Sequence, residues 1–228
     1  HCVVPSAKSH GSKPLPYAVL VGVANNGYDF MDSSIVTYTY VSPISISHIS
    51  PKTGPVEGGT AIFIYGHNFL SSSKLQCRFG SNTVDGGQMV PSTFFSTRMV
   101  RCIAPIHARG RVVVEITTNN VDFTNNDVEF EYQVQAAVTS ISPSFGPITG
   151  GTRVVLTGTG FPRTNKLQCR FGERGILVPA IWVAPTVVEC IVPMVTTVQS
   201  VLVQLTSNTV DFTTPSDDIL FSYIPPVK

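Results

Sequence analysis

The chain contains one block of residues twice, and the back half of the same block stands once more at its beginning. The heptapeptide KLQCRFG occupies residues 74–80 and recurs at residues 166–172. An Ile-Ser-Pro motif followed by Gly-Gly-Thr precedes each copy at the same distance, beginning at Ile49 and Ile141. Residues 1–40 match only the later part of the block. The matching residues are Cys2, Asp29, Phe30, Tyr38 and Tyr40. A repeat of this kind predicts a row of similar small domains in place of one large core.

The repeats divide the chain into a leading half domain, residues 1–44, and two complete domains, residues 45–135 and 136–228. Units of about 90 residues lie within the usual range of domain sizes. A β-rich half domain can neither cover its own apolar face nor pair all of its edge strands. We therefore expect it to be completed from outside, either by upstream repeats of the same polypeptide or by another copy of the chain.

The low charge content argues against electrostatic capture of nucleic acid or of an anionic membrane. Charged residues are 13% of the chain and the net charge is +1, so we expect no nucleic-acid partner. No apolar run reaches the roughly 18 residues that a membrane-spanning helix needs, and we expect no direct membrane insertion. Polar character comes from Ser, Thr and Asn. We expect O-linked glycans on Ser and Thr. N-linked glycans are not expected, because no Asn-x-Ser/Thr acceptor occurs.

The five cysteines follow the repeat pattern. Cys77 and Cys102 occupy the same repeat positions as Cys169 and Cys190, and Cys2 corresponds to the second cysteine of each pair. Disulfides within the two complete repeats would close loops of about 20 to 25 residues and contribute about 3 kcal/mol each. Such bridges predict an extracellular or cell-surface location. The partner of Cys2 is expected in the part of its repeat that is missing here. Buried free thiols and, less favoured, zinc ligation remain open alternatives at this point.

Short runs of β-branched and aromatic residues, separated by Gly, Pro and Asn, predict an all-β protein. The clearest runs are residues 61–65, 112–117, 154–157 and 201–206. No window combines a sustained helical period with helix caps. The predicted strands are short and closely spaced, which is typical of β-sandwiches.

Local motifs predict how the strands are arranged within each repeat. We expect Ile-Ser-Pro to start an edge strand and Gly-Gly-Thr to turn the chain into a central strand. The Gly-x-x-Phe motif that follows is expected to place an aromatic ring, Phe69 or Phe161, in the core. Alternation places Cys77 and Phe79 on one face of their strand. The last two strands are expected to form a hairpin around Asn119 or its counterpart. Two facing sheets, with the disulfide between or beside them, would close the domain.

The order of these landmarks resembles the IPT/TIG domain, an immunoglobulin-like module shared by plexins, related growth-factor receptors and Rel-type transcription factors. The landmarks are Ile-x-Pro, Gly-Gly-Thr, Gly-x-x-Phe, Cys-x-Phe-Gly, Cys-x-x-Pro and Val-Asp-Phe-Thr. The resemblance covers residues 49–132 and 141–223, and residues 1–40 match the C-terminal half of the module. It implies tandem immunoglobulin-like β-sandwiches, two complete plus one C-terminal half domain. It does not decide the function, because this module serves in proteins of several classes.

No catalytic, cofactor or metal site is predicted, and we expect the chain not to be an enzyme. Turn residues with side-chain oxygens could bind calcium, but their spacing matches no fixed calcium loop, and turn hydrogen bonding explains them. These residues are Asn25, Asn26, Asp29, Asp32, Asp122, Asn125, Asp127, Asp217 and Asp218. The histidines do not recur between repeats and lie at no ligand spacing. They are His1, His10, His48, His67 and His107.

The local basic cluster is interpreted as a solvated strand end, because no aromatic stacking platform accompanies it and the other repeat replaces its members. Its members are Arg98, Arg101, Arg109 and Arg111. Connectors of equal length, from Tyr40 to Ile49 and from Tyr132 to Ile141, favour a stiff arrangement of successive units.

The half domain and the stiff repeats favour one functional hypothesis. The chain is expected to be a non-enzymatic structural subunit of an extracellular fibre or cell-surface appendage, with end-to-end IPT-like domains and the half domain completed by a neighbouring segment or chain. The alternative is a ligand-binding or spacer segment of a plexin-like receptor ectodomain. A third interpretation, an accessory domain of a carbohydrate-active enzyme, requires a catalytic domain beyond Lys228.

Overall fold

The computed structural model describes residues 14–24, 26–30, 36–80, 87–214 and 219–226. These residues form strands, turns and loops. The leading segment, residues 1–44, contains β1 (Tyr17–Leu20) and β2 (Thr37–Tyr40). The first complete domain contains β3 (Ser45–Ser50), β4 (Thr53–Pro55), β5 (Ala61–His67), β6 (Gln76–Phe79), β7 (Gln88–Ser96), β8 (Met99–Ile103), β9 (Gly110–Thr117) and β10 (Glu129–Gln133). The second contains β11 (Ala137–Ser142), β12 (Phe145–Pro147), β13 (Arg153–Thr159), β14 (Gln168–Phe171), β15 (Ile176–Ala184), β16 (Val187–Ile191), β17 (Ser200–Thr206) and β18 (Leu220–Ile224).

The prediction of tandem all-β sandwiches is confirmed. In the first complete domain one layer runs β3-β5-β8-β7 and the other runs β7-β6-β9-β10-β4. The long strand β7 belongs to both layers, because its first half pairs with β6 up to Pro91 and its second half pairs with β8 from Ser92. Proline has no amide hydrogen to donate, so it suits the point where the strand exchanges one partner for the other.

The second complete domain repeats this arrangement strand for strand. Its order is β11-β13-β16-β15-β14-β17-β18-β12. Strand β15 pairs with β14 up to Pro179 and with β16 from Ala180. The proline at the crossing point is therefore shared by both domains.

The Ile-Ser-Pro motif ends the first strand of each domain, and the prediction that it starts an edge strand is wrong. Ile49 and Ser50 are the last residues of β3 to pair with β5. After Pro51 the chain forms β4, which pairs in parallel with β10 in the opposite layer. Because proline cannot donate to the ladder, the chain leaves the first layer there and joins the second. Pro143 stands at the same place between β11 and β12.

The Gly-Gly-Thr motif turns the chain into an inner strand, as predicted. Gly58 and Gly59 have φ angles of 76° and 85°, which glycine adopts without steric cost. Thr60 is fully buried, and β5 begins at the next residue, between β3 and β8. The turn therefore fixes where the central apolar strand enters the sandwich.

Each complete domain has its own apolar core. The predicted aromatic plugs, Phe69 and Phe161, are buried in the two cores. Cys77 and Phe79 are both fully buried, which confirms their placement on one face. Disulfides connect the two layers of each sandwich, with Cα–Cα distances of 6.5 Å and 6.4 Å. They join Cys77 to Cys102 and Cys169 to Cys190. Cys2 lies outside the described residues.

The leading segment, which the repeats predict to be a half domain, forms a two-stranded antiparallel sheet in the part of the chain that the structure describes. Strands β1 and β2 pair from Tyr17 opposite Tyr40 to Leu20 opposite Thr37. A side-chain position that the complete domains bury is exposed here. Tyr38 is 40% exposed, whereas its repeat counterpart Phe130 is 0% exposed. The second layer that covers Phe130 has no equivalent over Tyr38 among the described residues.

Candidate functional site

A turn of seven residues recurs between the last two strands of each complete domain, and we call it the Asn-turn. It comprises residues 117–123 in the first complete domain and residues 206–212 in the second. In the second, Asn208 Oδ1 accepts hydrogen bonds from the backbone N–H groups of Val210, at 3.0 Å, and Asp211, at 2.8 Å. Asn119 does the same for the first domain, at 2.9 Å and 2.8 Å. The asparagine side chain thus replaces the backbone partners that the turn lacks.

A second hydrogen bond fixes an amide and a carboxylate side by side on the tip of each Asn-turn. Asn119 Nδ2 donates to Asp122 Oδ2 at 2.8 Å, and Asn208 Nδ2 donates to Asp211 Oδ2 at 2.7 Å. Backbone bridges, Thr117 to Phe123 and its counterpart in the second domain, close the turn behind them. Hydrogen bonds within the turn therefore hold the asparagine and aspartate side chains in place without any partner.

The Asn-turn of the second domain binds the first domain. Asn208 Nδ2 donates its other hydrogen to the carbonyl oxygen of Thr53 at 2.8 Å. The hydroxyl of Thr60 donates to Asp211 Oδ2 at 2.8 Å. We call this surface of the first domain, Thr53–Pro55 together with Thr60, the receiving edge. These contacts use both donors of the asparagine amide and add a charge-assisted bond to the carboxylate.

The linker between the domains contributes a third hydrogen bond. Gln135 Nε2 donates to the carbonyl oxygen of Phe212 at 3.1 Å. The cavity that remains between the domains is only about 50 Å³ and is lined by the linker, the receiving edge and the Asn-turn. Asn208 is 8% exposed, whereas the equivalent Asn119 is exposed. The junction therefore buries polar groups in satisfied pairs, which opposes free rotation of one domain against the other.

An arginine stacks on the phenylalanine at the end of each Asn-turn. The guanidinium carbon of Arg78 lies 3.6 Å from the ring centre of Phe123, and that of Arg170 lies 3.5 Å from the ring centre of Phe212. Arg78 forms an ion pair with Glu115, whereas Arg170 donates to the amide oxygen of Gln204. Burial lowers the pKa of Arg170, and the negative charge of Glu173 opposes that shift. Stacking of this kind holds the phenylalanine, and with it the turn, against the sandwich.

The histidines and the basic cluster lie apart from this junction. His48 stacks on Tyr65 at 4.6 Å between ring centres, and His107 stacks on Tyr132 at 4.9 Å. Arg111 lies 3.5 Å from Glu131 in a surface ion pair. His1 and His10 lie outside the described residues.

The candidate calcium ligands that the structure describes do not converge. Asp29 and Asp122 accept hydrogen bonds from the asparagines of their own turns. The described residues contain no group of three or more His, Cys, Asp or Glu side chains that could hold a metal ion. Four of the candidates, Asn25, Asp32, Asp217 and Asp218, lie outside the described residues.

Comparison with protein families gives two matches to the IPT/TIG domain, over residues 43–132 and 136–223. The chain belongs to the IPT/TIG family. The matched residues are the two complete sandwiches, so the resemblance inferred from the repeated landmarks is confirmed.

Plexins are among the relatives of this IPT/TIG chain. It is 27% identical to Plexin-A2 of Homo sapiens over 176 residues, which is 74% of this chain and 9% of the relative. It is 27% identical to Plexin-A4 of Homo sapiens over 189 residues, which is 78% of this chain and 9% of the relative. A solved structure of the plexin A4 extracellular region, domains 1 to 10, aligns with a TM-score of 0.49 and 20% identity over 81% of this chain and 16% of that one. The chain thus spans about a tenth of the length of these relatives.

The location of the chain follows from its relatives and its cysteines. Relationship to plexins and one disulfide in each complete domain place it outside the cell or at the cell surface. No helix in the described part of the chain is long and apolar enough to cross a bilayer.

Sequence reasoning missed the junction. The pattern Thr-x-Asn-x-x-Asp-Phe occurs in both complete repeats and indicates a turn. It carries no sign that the asparagine and aspartate of one IPT domain bind the next. That contact depends on how the linker orients the domains, which no local pattern of residues reveals.

Proposed function

We propose that this chain is a non-enzymatic spacer segment in the ectodomain of a plexin-like cell-surface receptor. Its role is to hold domains on either side of it at a fixed distance and angle. The observation that carries the proposal is the hydrogen-bonded junction, in which Asn208 and Asp211 of one IPT domain are paired with Thr53 and Thr60 of the other. A linker alone would leave the two domains free to reorient.

The plexin relatives support this receptor interpretation more than the fibre interpretation. Nothing in the family match or the relatives points to a filament or to O-linked glycans. The junction leaves a cavity of only about 50 Å³, which is too small for a small-molecule ligand, so the two domains contact each other directly there.

The test compares two matched double variants of the chain by small-angle X-ray scattering. Asn208→Ala with Asp211→Ala removes both the turn and its contacts with the receiving edge. Asn119→Ala with Asp122→Ala removes the same turn in the first domain, where the described residues provide no such contacts. We expect the first variant to broaden the distribution of inter-domain distances and the second to leave it near that of the wild type.

Because both variants lose the same turn hydrogen bonds, their difference isolates the junction. Circular dichroism of each variant establishes that both sandwiches remain folded. A wild-type chain that already samples many domain orientations, or equal broadening in the two variants, would contradict the spacer proposal.

A further inference from the structure

We propose that the Asn-turn of the first complete domain, residues 117–123, docks on the receiving edge of a preceding IPT domain in the same polypeptide. In that contact Asn119 donates to a backbone carbonyl at the repeat position of Thr53, and Asp122 accepts from a threonine hydroxyl at the repeat position of Thr60. The proposal rests on the proposed spacer function and extends it, because it names a partner and the atoms that recognise it.

The first argument is that this turn has the geometry of the docked one without its partner. Its internal hydrogen bonds reproduce those of the second Asn-turn to within 0.2 Å, with 2.8 Å against 2.7 Å for the bond between amide and carboxylate. One amide hydrogen of Asn119 is used within the turn, and no acceptor in the described residues takes the other. Asn119 and Asp122 are exposed, whereas Asn208 is buried and Asp211 is half-buried. A preformed pair of this kind binds with little loss of conformational freedom.

The second argument is the space beside the turn. A gap of about 490 Å³ lies between the Asn-turn, Leu70 and residues 38–44, which are the end of β2 and the linker that follows it. At the occupied junction the comparable space is about 50 Å³, and the receiving edge Thr53–Pro55 lines it. Residues 1–40 correspond only to the later part of a repeat, and they contain no counterpart of the receiving edge. The gap lies where that counterpart belongs.

The third argument is the length of the linker, which favours a partner domain in the same polypeptide. The chain from Tyr40 to Ile49 is as long as the chain from Tyr132 to Ile141. A completed leading domain is therefore held at the same distance from the turn as the first complete domain is from the second. Pro43 replaces Gln135, so the third hydrogen bond of the occupied junction has no counterpart here, and the carbonyl of Pro43 accepts from Asn68 Nδ2 at 2.9 Å instead.

A second copy of the chain is the competing occupant. Thr152 and Phe145 repeat the receiving edge on the second domain, and Phe145 is 58% exposed. Contact between copies would thus run head to tail. A contact that rests on two hydrogen bonds is small for association between separate molecules, whereas a short linker supplies a high effective concentration.

The experiment measures hydrogen–deuterium exchange by mass spectrometry in this chain and in its natural polypeptide extended upstream through a complete preceding IPT domain. We expect the peptide that covers residues 117–123 to exchange at least about tenfold more slowly in the extended protein, and the peptide that covers residues 206–212 to be unchanged. Asn119→Ala in the extended protein should abolish the gain in protection relative to the same variant of the shorter chain.

The outcomes separate this inference from the proposed function. Equal exchange at residues 117–123 in the two proteins, with residues 206–212 still protected, overturns the inference and leaves the spacer function standing. Slower exchange that appears in the shorter chain as its concentration rises assigns the contact to a second copy and overturns the inference as stated. Loss of fixed domain orientation in the scattering experiment would reject the spacer function whatever the exchange at residues 117–123.

Discussion

One buried hydroxyl distinguishes Tyr132 from its repeat counterpart Tyr223. The hydroxyl of Tyr223 donates to the carbonyl oxygen of Pro193 at 3.1 Å. The hydroxyl of Tyr132 is buried and has no hydrogen-bond partner among the described residues. A buried polar group without a partner loses its hydration and gains nothing in exchange. The two domains therefore bury a tyrosine at equivalent positions of their two cores at different energetic cost.

Replacing these tyrosines should have opposite effects on stability. We expect Tyr132→Phe to be neutral or to stabilise the first domain by up to about 1 kcal/mol, because it removes an unsatisfied hydroxyl. We expect Tyr223→Phe to destabilise the second domain by about 1 kcal/mol, because it removes the hydrogen bond to the carbonyl oxygen of Pro193. Calorimetric unfolding of the two variants checks both values, and equal losses in the two would contradict the difference in hydrogen bonding.

Tyr132 should also affect how the stability of the first domain depends on alkaline pH. Burial raises the pKa of Tyr132 above its usual value of about 10. Above that pH the unfolded chain loses a proton that the folded chain retains. The contribution of Tyr132 to the free energy of unfolding is therefore constant below about pH 10 and declines by about 1.4 kcal/mol per pH unit as the pH rises from there toward the folded-state pKa. Tyr132→Phe should make the decline shallower by that amount, and an unchanged slope would exclude Tyr132 as its source.

At the scale of elements, two adjacent glycines in the turn before β13 differ in how much space surrounds them. Gly150 and Gly151 both have positive φ angles, 71° and 82°. A Cβ atom on Gly150 would lie 2.7 Å from the backbone nitrogen of Met194 and 2.8 Å from the carbonyl carbon of Pro193. A Cβ atom on Gly151 would meet nothing within 4 Å. Only the first glycine is required by packing as well as by backbone conformation.

Alanine substitutions at these two positions should separate the cost of the left-handed backbone conformation from the cost of the steric clash. We expect Gly151→Ala to lower the free energy of unfolding by about 1 to 2 kcal/mol, which is the cost of the left-handed conformation. Gly150→Ala should cost at least about 1 kcal/mol more, because backbone must move to accommodate the methyl group. Urea unfolding followed by the fluorescence of Trp182, the single tryptophan, reports on this domain. Equal losses would show that the turn can shift without cost.

The strands of this protein were predictable to the extent that local patterns determine them. Alternation placed Cys77 and Phe79 in the core, and Gly-Gly-Thr marked the entry to β5. Ile-Ser-Pro was misassigned because proline is equally compatible with the start of an edge strand and with the end of one. Only pairing between β4 and β10 decides that question, and such pairing is a long-range contact. The exchange of partners within β7 is hidden for the same reason.

At the scale of the whole molecule, the junction could not be predicted for the same reason, because it is formed by long-range contacts. The cysteine pairs and the repeated aspartates are visible in the sequence, but the contact of Asp211 with Thr60 joins residues in different domains. The Asn-turn looks identical in both repeats, and only the neighbouring domain makes one buried and the other exposed. The proposed spacer function therefore depends on how neighbouring domains are placed relative to each other, which a single repeat does not reveal.

A double-mutant cycle can measure the strength of this coupling, and the chain contains its own control. We expect Thr60→Val and Asp211→Ala to show an interaction free energy of about 1 to 2 kcal/mol in the unfolding of the second domain, since a hydroxyl donates to a charged carboxylate there. Thr152→Val and Asp122→Ala change the same repeat positions, and the described structure places no hydrogen bond between them. Their interaction free energy should be close to zero.

Trp182 fluorescence in urea measures both cycles, because it reports the unfolding of the second domain in each. The control removes the effects of each substitution on its own domain and leaves only communication across the junction. Equal interaction energies in the two cycles would mean that the domains influence each other through something other than this contact. A near-zero value in the first cycle would mean that the hydrogen bond aligns the domains without stabilising them, so that orientation and stability are separate properties of the same junction.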